Sequence, residues 1–183
     1  MNITQSNIFP EVFLFELKLY KDDRGFFTES YNKKVNEVLG VEFYQDNHSM
    51  SNKNVIRGIH YQWEKPMGKL CRVIKGSVID IVVDLRSNSS TFGKNESFLL
   101  SEENNKMIWI PPGFGHAFLS LEDDTHFFYK CSAYHNSDNE GSIYPFDENL
   151  NIDFPISKEN AVLSLKDMNA QSFKEYCINP RFL

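Results

Sequence analysis

The feature that most limits the fold is the run from Asn54 to Ser132. Seven strand-like segments follow one another there: "VIRGIHYQ", "KLCRVIKG", "SVIDIVVDLR", "ESFLLSE", "KMIWIPP", "HAFLSLE" and "HFFYKCSAY". Turn residues separate most of them, and no helical periodicity intervenes. Parallel sheets need helical crossovers, so this pattern leaves an all-β barrel or sandwich. "IKGS" (74–77) reads as a hairpin turn and "LRSNSSTFGKN" (85–95) as a longer loop.

The flanks add little regular structure. "EVFLFELKLY", "KDDRG" and "FFTESY" read as two short strands around a turn. "NKKVNEVLG" reads as a helix with Val35, Val38 and Leu39 on one face and Gly40 as its C-terminal cap. The last thirty residues combine a loop, "FDENLNIDFP", with a short helix near "NAQSFKEYC". At 183 residues the chain fits a single domain spanning 1–183, large enough for its own core.

Charge and composition exclude some functions. The net charge is −6 with no basic run, which argues against a non-specific nucleic-acid surface. Isolated Lys and Arg still suffice for a phosphorylated small molecule. The 16 Phe and 8 Tyr suit a small barrel able to stack a flat ligand. Cys71, Cys131 and Cys177 form no C-x-x-C pair, which points to reduced thiols in a cytoplasmic protein. No apolar run reaches the roughly 18 residues of a membrane helix, and the N-terminus lacks a signal-peptide pattern.

Two histidines sit in informative places, His60 in "RGIHYQ" and His116 in "PPGFGHAF". The second segment resembles the P-x-G-x2-H half of the cupin metal motif. The first departs from the matching H-x-H half, because Gln62 stands where the second ligand histidine belongs. Residues i and i+2 of a strand share a face, so the missing ligand would have pointed inward beside His60. An amide oxygen replaces imidazole poorly on a transition metal, and Glu64 is in the wrong register. No metal and no cofactor are expected. Arg57, Lys69 and Arg72 lie near His60 in sequence, and such cations in a barrel are costly unless they face anions.

Taken in order, "DRGFFTES", "YQDNHSMS", "IRGIHYQ", "GKLCRVIKGSVIDIVVDLRSNSSTFG", "IWIPPGFGHAF", "YKCSAYH", "DFPI" and "LSLKD" resemble the dTDP-4-dehydrorhamnose 3,5-epimerases, a metal-free branch of the cupins. The resemblance implies a cupin-type jelly-roll β-barrel with a few short peripheral helices, and a homodimer. It implies an isomerase that inverts C3, C5 or both of a nucleotide-diphosphate 4-keto-6-deoxy sugar, in bacterial surface polysaccharide biosynthesis. His60 aligns with the base, Asp167 with the carboxylate that orients it, Tyr129 with the acid on the opposite face, and Lys69 with the lysine near the keto oxygen. Arg24, Phe27, Glu29, Gln45, Asn47, Arg57 and Arg72 align on or near substrate-binding positions, and His116 with a second pocket histidine.

Such roles suit the chemistry. A 4-keto group acidifies the C3 and C5 protons. Inversion then needs a base on one side, a donor on the other and a cation at the enolate oxygen. The chain departs from its relatives at His135, where the family often has a second tyrosine after Tyr134, and at Trp63 and Met67 in the loop after β-like "RGIHYQ". That loop resembles those of enzymes acting on GDP-linked 4-keto-6-deoxy heptoses, which leaves dTDP-hexose and GDP-heptose both open. A ketoisomerase and a non-catalytic sugar-nucleotide-binding cupin are the alternatives. The ketoisomerases tend to carry His-x-His where this chain has His60-Tyr61-Gln62, and mere binding requires no acid-base pair.

Overall fold

Alternation along the strands fixes which side chains face inward, and two main sheets and a separate two-stranded hairpin result. A computed structural model describes residues 2–183. Its strands are β1 (Asn2–Gln5), β2 (Phe13–Glu16), β3 (Leu19–Asp22), β4 (Gly25–Thr28), β5 (Gln45–Ser51), β6 (Ile56–Gln62) and β7 (Lys69–Lys75). β8 (Ser77–Asp84), β9 (Asn95–Ser101), β10 (Lys106–Ile110), β11 (Phe114–Ser120), β12 (Thr125–Cys131) and β13 (Glu140–Ser142) complete them. Three short helices, α1 (Lys33–Leu39), α2 (Leu165–Met168) and α3 (Phe173–Ile178), lie at the periphery.

The first sheet runs β1-β2-β10-β7-β12-β5 and the second β13-β6-β11-β8-β9. The architecture is an all-β jelly roll whose two sheets face each other without closing into one continuous hydrogen-bonded barrel. Cys71, Val73 and Ile108 of the first sheet meet Val78, Val82 and Phe118 of the second in the core between them. The outer face of the second sheet is covered by the C-terminal segment, where Ile59, Tyr61 and Ile81 pack with Phe154, Phe173 and Tyr176. The outer face of the first sheet carries Leu70, Met107 and Trp109 against Val35 of α1.

Several local expectations change. "IKGS" is not a hairpin: β7 and β8 belong to different sheets, so this turn carries the chain across the sandwich. "EVFLFELKLY" divides: β2 ends at Glu16, opposite Lys106 at the start of β10, and β3 pairs only with β4 as a separate hairpin. Polar "QDNHSMS" forms β5, an edge strand whose alternate residues point inward. In α1 Val35 is buried, but Val38 is half exposed, and Gly40 caps the helix at φ 66°.

The pairing of β6 with β11 is irregular. His60 pairs with His116, whereas Arg57 pairs with Phe118. Three steps on β6 therefore match two on β11, which is a β-bulge. Gly58 sits inside it at φ +119°, and a Cβ there would collide with the His116 carbonyl and with Ala117. Only glycine fits without shifting β6. Gly58→Ala is expected to destabilise the fold by about 2 kcal/mol or more, from backbone strain plus overpacking. Urea denaturation of the two proteins checks this; a midpoint unchanged from wild type would contradict it.

Candidate active site

Between the two sheets lies a cleft of about 450 Å³. The second sheet contributes Arg57, His60 and His116, the first contributes Ser49, Lys69 and Tyr129, and α2 closes one side with Asp167. A smaller cavity shares His60, Lys69, His116 and Tyr129 and reaches Asn47, Met67, His135 and Glu140. Arg57 and His60, three positions apart, would face opposite ways on a regular strand; the bulge brings both to the cleft.

His60 Nε2 lies 2.6 Å from Asp167 Oδ1. Ser164 caps α2 by accepting from the Asp167 N–H at 3.1 Å, which sets the carboxylate's position. Burial works to raise the Asp167 carboxyl, but the bond and charge of His60, with further bonds from Ser164 and the Gly58 backbone, hold it below its ordinary value. An anionic Asp167 accepts the Nε2 proton, so Nδ1 carries the imidazole's lone pair.

Tyr129 and Lys69 stand on the opposite sheet from His60. Burial raises the Tyr129 phenol and a hydrogen bond with Asn47 only partly offsets it, so the hydroxyl keeps its proton at neutral pH. The Lys69 ammonium lies 5.7 Å from the centre of the Tyr129 ring. Among the described residues, no carboxylate pairs with Lys69. Among the described residues, the Arg57 guanidinium donates only to uncharged groups, Ser51 Oγ and the Met50 carbonyl, both at 3.0 Å.

The other expected residues divide. Asn47 lines the smaller cavity, and Gln45 supports it by donating to Asn47 Oδ1 at 2.9 Å. Gln45 Oε1 also accepts from the His135 N–H at 3.0 Å. His135 borders the smaller cavity with its ring 3.5 Å from Glu140. His116 is buried and bonded to Asp80 at 2.9 Å; burial lowers its basicity, against the charge of Asp80. Arg24 and Phe27 lie exposed on the β3–β4 hairpin, and Glu29 borders a separate pocket with Tyr20 and Tyr31. Within one chain none of these three reaches the cleft.

Arg72 stands outside the cleft. β7 has no bulge at this point, so Lys69 and Arg72, three apart, take opposite faces, and Arg72 borders an outer pocket with Tyr31 and Phe128. Glu140 and Lys166 also line the cavities, although the sequence did not single them out. Burial raises the Glu140 carboxyl, but Lys166 above all, with His60 and His135, brings it below its ordinary value. The only signal was topological: three-residue β13 pairs with β6 and sets Glu140 opposite Gln62.

The cupin metal set is not assembled. His60 and His116 each direct Nε2 to a different carboxylate. The three donors that do cluster among the described residues are Cys71, Asp80 and His116, and burial holds the Cys71 thiol well above its usual value. Among the described residues, no helix is long and apolar enough to cross a membrane.

The sequence model of the family described as dTDP-4-dehydrorhamnose 3,5-epimerase matches residues 6–175. A relative of that name from Shigella flexneri is 46% identical over 177 residues, covering 94% of this chain and 96% of its own. One from Salmonella typhimurium is 44% identical, covering 93% and 94%. The solved structure of dTDP-6-deoxy-D-glucose-3,5-epimerase from Legionella pneumophila, in complex with dTDP-4-keto-L-rhamnose, superposes with a TM-score of 0.92. It is 41% identical and covers 100% of this chain and 98% of its own.

The state of Asp167 has a measurable consequence. A carboxyl held below its unfolded value of about 3.9 stabilises the fold above that pH. The contribution disappears as pH falls through the lowered folded value. Asp167→Asn is expected to flatten the loss of stability below about pH 5, read as urea midpoints from pH 7 to pH 3. Parallel acid limbs in the two proteins would mean that Asp167 carries no such linkage.

Proposed function

The chain belongs to the dTDP-4-dehydrorhamnose 3,5-epimerase family and is an isomerase, and on that premise we propose how its own residues perform the epimerisation. His60 removes the proton from the carbon next to the 4-keto group, with Asp167 fixing its tautomer. The electron pair moves to the keto oxygen, and the Lys69 ammonium stabilises the enolate. Tyr129 returns a proton from the other side and the centre is inverted. The observation that carries this reading is the placement of His60–Asp167 on one wall of the cleft and of Tyr129 with Lys69 on the other.

The substrate is a dTDP-linked 4-keto-6-deoxy hexose, the class named for the relatives, in preference to a GDP-linked heptose. Lys69 and Arg57, without carboxylate partners, supply cations for an anionic ligand. Asn47, with Gln45 behind it, and His116 contact the nucleotide sugar, and His135 takes the place of an aromatic hydroxyl beside the sugar. Arg24 and Phe27 act in a homodimer, reaching the neighbouring copy's cleft from the exposed β3–β4 hairpin. The enzyme works in the cytoplasm, in the synthesis of a bacterial surface polysaccharide.

Solvent deuterium separates the two faces. With a dTDP-4-keto-6-deoxy hexose in deuterated water, His60→Asn is expected to lose both exchange and inversion by about 10²–10⁴-fold. Tyr129→Phe should still exchange the proton that His60 removes, while net inversion falls. Wild-type inversion in Tyr129→Phe, followed by NMR, would remove Tyr129 from the acid role. No step passes through a metal, so activity is expected to survive exhaustive chelation. Loss on chelation with recovery on adding zinc, iron or manganese would overturn that.

A further inference from the structure

The outer face of the first sheet carries a second cluster that the epimerisation does not use. His48 on β5 and His126 on β12 both point away from the cleft, since Asn47, Ser49 and Tyr129 between them point in. His48 pairs in register with Phe128, so His126 is its diagonal neighbour across the strands. Their facing nitrogens, His48 Nε2 and His126 Nδ1, are 2.9 Å apart. The other nitrogen of His126, Nε2, lies 3.1 Å from Asp124 Oδ1, and Lys75 holds the second oxygen of that carboxylate.

The tautomers follow from these bonds. The Lys75 ammonium can only donate, and it donates to Asp124 Oδ2, so the carboxylate accepts on both sides. His126 therefore donates Nε2–H to Asp124 and presents the Nδ1 lone pair towards His48. A carboxylate behind an imidazole whose other nitrogen is free is the arrangement found behind metal-bound histidines. His48 Nε2 currently donates to that lone pair. Moving its proton to Nδ1, which has no hydrogen-bond partner among the described residues, frees a second lone pair without net loss of a proton.

The two nitrogens, now at hydrogen-bond distance, are near enough for one ion to bridge them once the rings turn their lone pairs to it. Imidazole suits Cu²⁺, Ni²⁺ and Zn²⁺, and Cu²⁺ heads the affinity order. We propose that His48 and His126 form a surface site for a divalent transition-metal ion, Cu²⁺ before Zn²⁺, oriented by Asp124 and completed by water. An ion there ties edge strand β5 to β12 directly behind the wall that carries Asn47 and Tyr129.

The test uses the intact, tag-free protein with each metal alone. Calorimetric titration should give one Cu²⁺ equivalent, bound more tightly than Ni²⁺ or Zn²⁺, and the electron paramagnetic resonance spectrum should show two nitrogen ligands. Asp124→Asn should weaken binding by about 10–100-fold, and His48→Gln and His126→Gln by more. Saturating Ni²⁺ should raise the melting temperature of the wild type by several degrees and leave the histidine variants unmoved. All three substitutions lie on the exposed face, and metal-free melting temperatures check their folding. Copper held by the exposed Cys177 would persist in both histidine variants, so undiminished binding there overturns the site. A preference for Zn²⁺ over Cu²⁺ overturns the assignment of the ion. Neither result touches the epimerase reading.

Discussion

The bond between His60 and Asp167 joins parts of the chain 107 residues apart and depends on most of what lies between them. Asp167 is almost fully buried, in a helix of only four residues that could not stand alone. Ser164 caps that helix, and the parallel bridge from Val55 to Val162 lays the preceding segment against the start of β6. The aromatic layer of Phe154, Phe173 and Tyr176 then pins the C-terminal segment to the second sheet. A buried carboxylate without its partner would be costly, so the same contact that sets the imidazole tautomer also holds the segment down.

A single bulge decides which cations share that site. On β6 the extra residue lets Arg57 and His60 face the same cleft, and Gly58 is the residue that permits it. On β7 the same spacing without a bulge turns Arg72 away from Lys69. The cleft therefore keeps two cations, Arg57 and Lys69, without carboxylate partners, while Glu140 is already occupied by Lys166 and His135. Unpaired cations in a partly enclosed space are tolerable when an anionic ligand completes them.

The same contrast marks how much was legible in the sequence. Seven segments of strand character point to the sheet-rich fold, because apolar alternation survives in β6 to β12. The pairing did not follow from them: "IKGS" looks like a hairpin, yet its strands lie in different sheets. β5 escaped notice because an edge strand with one face in a polar cleft and the other in water has no apolar side to show. The resemblance located His60, Lys69, Tyr129 and Asp167, which the fold brings to one cleft. The position of Arg72 needed the register, which spacing along the sequence does not reveal.

The two faces of β5 and β12 show how one pair of strands can host unrelated chemistry. Inward residues Asn47 and Tyr129 face each other in register and border the cleft. Outward residues pair Asp46 with Lys130 at 2.9 Å and His48 with His126. The side-chain period of two keeps these sets apart, so a change on the outer face alters the cleft only by moving the strands themselves. β5 is an edge strand, with β12 on one side and no neighbour on the other within the described sheet. The Arg57 guanidinium grips it at Ser51 and Met50, and that grip ties the edge strand to the second sheet across the mouth of the cleft. A ligand that draws Arg57 towards itself competes with this contact, so the anchoring of β5 and the occupancy of the cleft are linked through one side chain.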